Sequence, residues 1–133
     1  MRIVLDTNVL VSAILKPSSK PADILNLVLS AKLLLHLDSR IFLEYSNVLK
    51  RKKFDFDPKK IDYLLQYLHR ISFFTTAKPL RIQLPDLSDL PFIEIAHKTD
   101  SLLITGNKKH FPSDLIKVLD CKEFLDFYFD DVL

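Results

Sequence analysis

Three carboxylates, Asp6, Glu44 and Asp89, stand where a negative charge needs a reason. Asp6 follows Ile3-Val4-Leu5, a short apolar run with the character of a central parallel strand covered on both faces. Residues at the carboxyl ends of such strands are where open parallel sheets bind ligands. Glu44 falls between Ile41 and Val48, inside the stripe that a helix here buries, so it needs a partner. Asp89 belongs to the loop-to-helix segment Asp86-Leu87-Ser88-Asp89-Leu90-Pro91-Phe92. Gathered at one place, these residues offer hard oxygen ligands from separate elements, which suit Mg²⁺ or Mn²⁺ rather than zinc. Such a cluster suits phosphodiester hydrolysis, where a metal activates water and neutralises charge on the phosphate.

Each residue also has a plainer reading. Asp6, Asp38 and Asn107 sit at expected strand ends and could serve as turn or cap residues. Glu44 could pair with Arg40 at i−4, Asp89 could favour a helix N-terminus electrostatically, and Asp86 could be a solvated loop residue. The basic runs Lys50-Arg51-Lys52-Lys53 and Lys108-Lys109-His110 read first as solvated surface.

Composition removes several other chemistries. The single glycine, Gly106, excludes a Walker phosphate loop, a dinucleotide GxGxxG turn and a GxSxG nucleophile elbow. One cysteine, Cys121, rules out an internal disulfide and a cysteine-rich zinc site, and the histidines at 36, 69, 97 and 110 lack metal-ligand spacing. The 133 residues, 48% apolar with a formal charge of +2, are expected to fold as one domain over 1–133. Asp6 and Asn8 interrupt the N-terminal apolar run and no stretch has membrane-spanning length, so neither a targeting segment nor a membrane partner is expected, and the expected location is cytoplasmic.

The elements that must position these residues alternate. After the first strand, Val9 to Leu15 reads as a short helix, and Pro21 opens a second running to about Lys32. Leu33 to Leu37 is the second strand, and Ser39 is placed to cap a helix with Ile41, Tyr45 and Val48 on one stripe. Asp57-Pro58 starts a helix whose Ile61, Leu64, Leu65, Leu68 and Ile71 keep the period of one buried face. Phe73 to Thr76 is a third strand, and residues 77 to 90 form a long irregular connection of the kind that often carries function. A helix from Pro91, a strand from Ser101 to Thr105 and a short strand at Val118-Leu119 follow. Asp120 and Glu123 form a capping-box-like start to the last helix. The pattern predicts an α/β fold, a mostly parallel sheet of about five strands with helices on both sides.

Taken in order, Ile3-Val4-Leu5-Asp6-Thr7-Asn8-Val9-Leu10, Glu44-Tyr45 with Val48-Leu49, the segment Asp86 to Ala96, and Leu102-Leu103-Ile104-Thr105-Gly106-Asn107 resemble the PIN-domain ribonucleases. Arg51-Lys52-Lys53-Phe54 and Asn107-Lys108-Lys109-His110-Phe111 look most like a branch similar to VapC, the toxins of bacterial toxin-antitoxin pairs. The resemblance implies a metal-dependent endoribonuclease acting on RNA, with Asp6, Glu44 and Asp89 as catalytic metal ligands and Mg²⁺ or Mn²⁺ as cofactor. Asn107 falls where many members carry a fourth Asp, which implies contact through water and a weakened second metal. Asn8, Ser12 and Thr105 match polar positions around the family's site, where they would orient carboxylates or water, with Asp86 helping through a bridging water. Lys108 and Lys109 would meet RNA phosphates.

The resemblance also implies an antitoxin protein as partner. The aromatic-rich stretch Phe124, Phe127, Tyr128 and Phe129 could form that interface or a homodimer, or could dock into its own core. An aspartyl-nucleophile phosphatase needs D-x-D where this chain has Asp6 and Asn8, so its general acid is missing. The remaining rival is a PIN-fold module with weak catalysis that binds RNA or a partner.

Overall fold

A computed structural model describes residues 1–132, with side chains through residue 130; residue 133, the end of the expected domain, lies outside them. Strand β1 (Arg2–Leu5) is the apolar run read from the sequence, and its Ile3, Val4 and Leu5 are each 0% exposed. Successive strand residues face opposite sides of a sheet, so uniform burial means that both faces are covered. Around β1 the strands β2 (Leu34–Leu37), β3 (Phe73–Phe74), β4 (Leu102–Ile104) and β5 (Val118–Leu119) form a five-stranded sheet in the order β3-β2-β1-β4-β5. Every pairing is parallel, with Ile3 opposite Leu35 and Leu102, and Leu5 opposite Ile104.

This order places a reversal beside β1. The chain leaves β1 towards β2 and β3, then returns to build β4 and β5 on the other side. In open parallel sheets a ligand crevice forms at such a reversal, outside the carboxyl ends of the strands.

The helices are α1 (Thr7–Leu15), α2 (Lys20–Leu29), α3 (Ser39–Leu49), α4 (Pro58–Ile71), α5 (Leu90–Thr99) and α6 (Cys121–Val132). Helix α4 follows its predicted stripe, burying Ile61, Leu65 and Leu68 with Leu64 and Ile71 half-buried. The capping box at α6 forms as read: the Asp120 amide donates to Glu123 Oε1 at 3.0 Å and the Glu123 amide to Asp120 Oδ1 at 2.8 Å.

Several boundaries differ from the sequence reading. Helix α1 begins at Thr7, not Val9, because Asp6 already occupies the cap position. Helix α2 stops at Leu29 rather than near Lys32, where Ala31 takes a left-handed φ of 62°. The Lys32 amide then bonds the Leu27 carbonyl at 2.9 Å, closing the helix end without the glycine that usually signals it. Asp38, not Ser39, caps α3: its Oδ1 accepts from the Ile41 amide at 3.0 Å. Strands β3 and β4 are shorter than read, and the sheet ends there as the neighbouring strands run out.

Candidate active site

Asp6 leaves the end of β1 beside the end of β4, because those strands pair in parallel. Its amide donates to the Ile104 carbonyl at 3.0 Å, and its Oδ2 accepts from the Thr105 hydroxyl at 2.7 Å. Although Asp6 holds the cap position of α1, its side chain makes no capping hydrogen bond. The Thr7 and Asn8 amides at the helix start still favour its charge, and the carboxylate is only 6% exposed, so its burial is not accounted for by capping alone. Burial raises its pKa above the ordinary 3.8, opposed mainly by the Thr105 hydroxyl.

Glu44 is half-buried on α3 and accepts a hydrogen bond from the Thr7 hydroxyl. Arg40 is not its partner. That guanidinium pairs instead with Asp38 Oδ2 and Glu94 Oε1, each at 2.7 Å. On the inner side of Glu44, Tyr45 is 0% exposed and donates its hydroxyl to the Leu5 carbonyl, tying α3 to the end of β1. Burial, then the charges of Asp6 and Glu44, push the Tyr45 pKa well above its ordinary value, so it stays a neutral donor.

Asp89 ends a short 3₁₀ turn (Leu87–Asp89) and opens α5, again without a side-chain cap bond. Its side chain is 16% exposed, and its Oδ2 is buried with no hydrogen-bond partner. His110 Nδ1 stands 3.9 Å from that oxygen, beyond hydrogen-bond reach. Burial first, then the charges of Asp6 and Asp86, push the Asp89 pKa to about 6. Asp86 is exposed and behaves otherwise, because the Ser88 amide and hydroxyl donate to its Oδ1 at 2.9 and 2.7 Å and lower its pKa.

These residues meet in one cleft of about 530 Å³, lined by Asp6, Thr7, Asn8, Val11, Ser12, Glu44, Val48, Arg51, Lys53, Phe54, Asp86, Ser88 and Asp89. Asn8 and Ser12, at i and i+4 on α1, present exposed polar groups to it. Thr105 stands just behind, 0% exposed, bonded to Asp6 and accepting from the Asn107 amide at 3.0 Å.

The donor chemistry fits a hard divalent cation, since oxygen ligands converge and one buried carboxylate oxygen has no partner. The ligand sphere is not closed, however: among the described residues no three His, Cys, Asp or Glu side chains form a group set to hold a metal ion.

Other expected site residues lie elsewhere. Asn107 is exposed, outside the cleft lining, with its amide nitrogen 3.1 and 3.2 Å from the His110 ring nitrogens. Its φ of −137° is ordinary, so a need for unusual backbone angles does not account for it. Lys108 is tied to Glu123 Oε1 at 2.8 Å, and neither Lys108 nor Lys109 lines the cleft. The cations that do line it, Arg51 and Lys53, come from the run read as solvated surface. The available signal was position: Glu44 and Val48 fall at i and i+4 on one face of α3, and the basic run begins where that helix ends. His110 was likewise set aside for its spacing in sequence, yet folding brings its ring to Asp89.

Helix α6 divides its aromatic residues. Phe124 and Tyr128 are buried and stack with centroids 6.0 Å apart, whereas Phe127 and Phe129 remain 39% and 47% exposed. Among the described residues no helix is long and apolar enough to cross a membrane.

Comparison with known proteins bears on the fold and the family. The chain is 27% identical over 128 residues to the uncharacterized protein MJ1680 of Methanocaldococcus jannaschii, covering 94% of this chain and 79% of that protein. Its fold is similar to that of a chain in the crystal structure of VapBC2 from Rickettsia felis bound to a DNA fragment from their promoter. There the TM-score is 0.61 at 18% identity, covering 90% of this chain and 98% of that one. The profile of the PIN domain matches residues 2–109, a span that takes in Asp6, Glu44, Asp89 and the strand between Thr105 and the sheet centre. A match over so much of the chain, on a sheet that delivers those carboxylates to one cleft, makes this protein a member of the PIN domain family.

Proposed function

We propose that this protein is an endoribonuclease dependent on Mg²⁺ or Mn²⁺, and that it acts as the toxin of a toxin-antitoxin pair. PIN domains are generally nucleases, which supports hydrolysis of a phosphodiester. The observation that carries the reading is Asp89: a buried carboxylate oxygen without a partner, in one cleft with Asp6, Glu44 and Asp86. Leaving a buried acceptor unpaired costs about 1–3 kcal/mol, more when it is charged, and a cation removes that cost.

Asp6, Glu44 and Asp89 would hold the cation. Once bound, a divalent cation there supplies charge neutralisation at the phosphate and a more acidic water. The Thr105 hydroxyl fixes the orientation of Asp6, and the Thr7 hydroxyl does the same for Glu44. Asn8 and Ser12 offer neutral donors and acceptors on the same wall for water or substrate oxygens. Asn107 would act only through water, leaving a second cation weakly held.

The toxin assignment rests on the fold shared with a chain of the VapBC2 structure and on the Arg51 to Phe54 and Asn107 to Phe111 segments. An antitoxin protein or a second copy of the chain would cover Phe127 and Phe129, the aromatic residues that α6 leaves outside its own core.

A second reading, a PIN-fold module with weak catalysis that binds RNA or a partner, is favoured by one observation. The carboxylates as they stand do not close into a three-ligand group. Purified protein incubated with single-stranded RNA in Mn²⁺, in Mg²⁺ and in chelator separates the two. Internal cuts that appear with metal and vanish with chelator are expected. Intact RNA in all three conditions, with the same melting temperature in Mn²⁺ and in chelator, would overturn the nuclease reading.

A further inference from the structure

Among the described residues four of the lysines and arginines are held in ion pairs with carboxylates. Arg40 is paired with Asp38 and Glu94, Lys50 with Asp62, Lys108 with Glu123, and Lys122 with Asp126. Arg51 and Lys53 are set apart by their place. Both are exposed, both line the carboxylate cleft, and among the described residues neither forms an ion pair, although four carboxylates share that cleft. Arg51 and Lys53 thus add a cationic wall to the cleft that its carboxylates do not pair with.

The cationic wall is also held in place. The Arg51 amide donates to the Val48 carbonyl at 3.1 Å, fixing the residue just beyond α3 on the face that carries Glu44. The Lys53 ammonium lies 5.1 Å from the centroid of the Phe54 ring, and Phe54 stacks on Phe56 at 5.4 Å with 10° between the planes. A cation over an aromatic face is attracted to it, so the ring pair positions the ammonium without neutralising its charge.

We propose that Arg51 and Lys53 bind the phosphates of a single polynucleotide strand, so that its backbone lies between the cationic wall and the carboxylates. The inference rests on the nuclease reading of the cleft and assigns it a substrate contact. A phosphodiester is the group that suits both walls: its oxygens take charge-assisted hydrogen bonds from Arg and Lys and share a divalent cation with carboxylates. The cleft volume of about 530 Å³ falls in the range of small-molecule sites, room for a nucleotide or two of one strand. Arg51 also lines an adjoining cleft of about 440 Å³ with Lys50, Lys52, Asp55 and Asp62, where Lys50 is paired with Asp62.

The test uses a labelled oligouridylate of about 12 nucleotides, which forms no base pairs and spans a typical single-strand site. It is titrated against the Asp6→Asn protein, which suppresses turnover, and against the same protein carrying Arg51→Ala and Lys53→Ala. The added substitutions should weaken binding roughly tenfold or more. They should also shrink the slope of log affinity against log salt by about 1.4, at about 0.7 for each lost phosphate contact. The melting temperature should not move, and Arg51→Lys with Lys53→Arg should restore most of the affinity. Superimposable titrations, an unchanged salt slope, or no measurable binding by the Asp6→Asn parent would overturn the proposal. Dependence on Arg51 and Lys53 in a protein that cuts no RNA would leave the wall standing and remove the nuclease reading. Metal-dependent cutting by the wild type, with binding indifferent to both residues, would do the reverse.

Discussion

Helix α5 carries two carboxylates in opposite circumstances. Glu94 is 2% exposed and fully served: Arg40 Nη1 donates to its Oε1 at 2.7 Å and the Leu80 amide to its Oε2 at 2.6 Å. Asp89, at the start of the same helix, is 16% exposed and has an oxygen with no donor at all. Both charges are costly to bury. For Glu94 the chain provides its own cation from α3 and so clamps α3, α5 and the 77–84 loop together. For Asp89 the neighbours are more carboxylates and the His110 ring, and the pKa rises to about 6 because burial and the carboxylate charges outweigh the opposing His110. The Glu94 charge is matched from within the fold, whereas Asp89 Oδ2 is left without a hydrogen-bond partner, as the proposed metal site requires.

The contrast can be broken from either side. The largest effect should come from Asp6→Asn, which removes charge from the open site while its amide oxygen can still accept from Thr105. RNA cleavage should fall a hundredfold or more, since Lewis-acid stabilisation of the phosphate is worth several kcal/mol, while the circular dichroism spectrum stays that of the wild type. Cleavage within a few fold of the wild type would break the assignment.

Glu94→Ala should do the opposite. Removing one partner of a buried pair costs up to about 3–5 kcal/mol, and with the Arg40 side chain 47% exposed a loss of about 2–3 kcal/mol in urea denaturation is expected. If Glu94→Ala were as stable as the wild type, the clamp would be no clamp.

Next in size is the pH response of the metal-free protein. The pKa of Asp89 in the folded state, about 6, lies above the ordinary 3.8, so the folded chain holds this proton more tightly than the unfolded chain. Stability from this group is therefore fully present below about pH 4 and is lost as the pH rises through about 6. Asp89→Asn, lacking the charge, should be more stable than the wild type by about 1 kcal/mol at about pH 7.5 in chelator, after discounting for solvent, with the gain gone near pH 4. Parallel stability profiles for the two proteins would show that Asp89 is not strained by its neighbours.

The smallest effect belongs to Asn107→Asp. With this side chain at His110 and outside the cleft lining, the metal concentration for half-maximal cleavage should drop only a few fold. Superimposable metal titrations would leave the three carboxylates to work alone.

Much of this was legible before folding was considered. Asp6 could be placed because an apolar run buried on both faces must end somewhere, and a charge at that end lies at the rim of the sheet. Glu44 could be flagged because helical period alone puts it beside buried positions. The same period applied to Phe92, Ile93, Ile95 and Ala96 would have flagged Glu94, an apolar helix face with one acid in it.

Sequence alone thus determined the alternation of strands and helices and singled out Asp6, Glu44 and Asp89 as candidates, since both follow from side-chain type and local spacing. It did not single out Arg51, Lys53 or His110. Only the tertiary structure decided which charge meets which. Arg40 pairs with Glu94, 54 positions away, and not with Glu44 one turn along its own helix. The physical reason is that a charge pair depends on distances between elements, and those are set by strand order and packing. With β1 at the centre and β4 beside it, Asp6 and Thr105, 99 positions apart in the chain, become hydrogen-bonded neighbours, and Asp89 is left facing carboxylates with the His110 ring beyond hydrogen-bond reach.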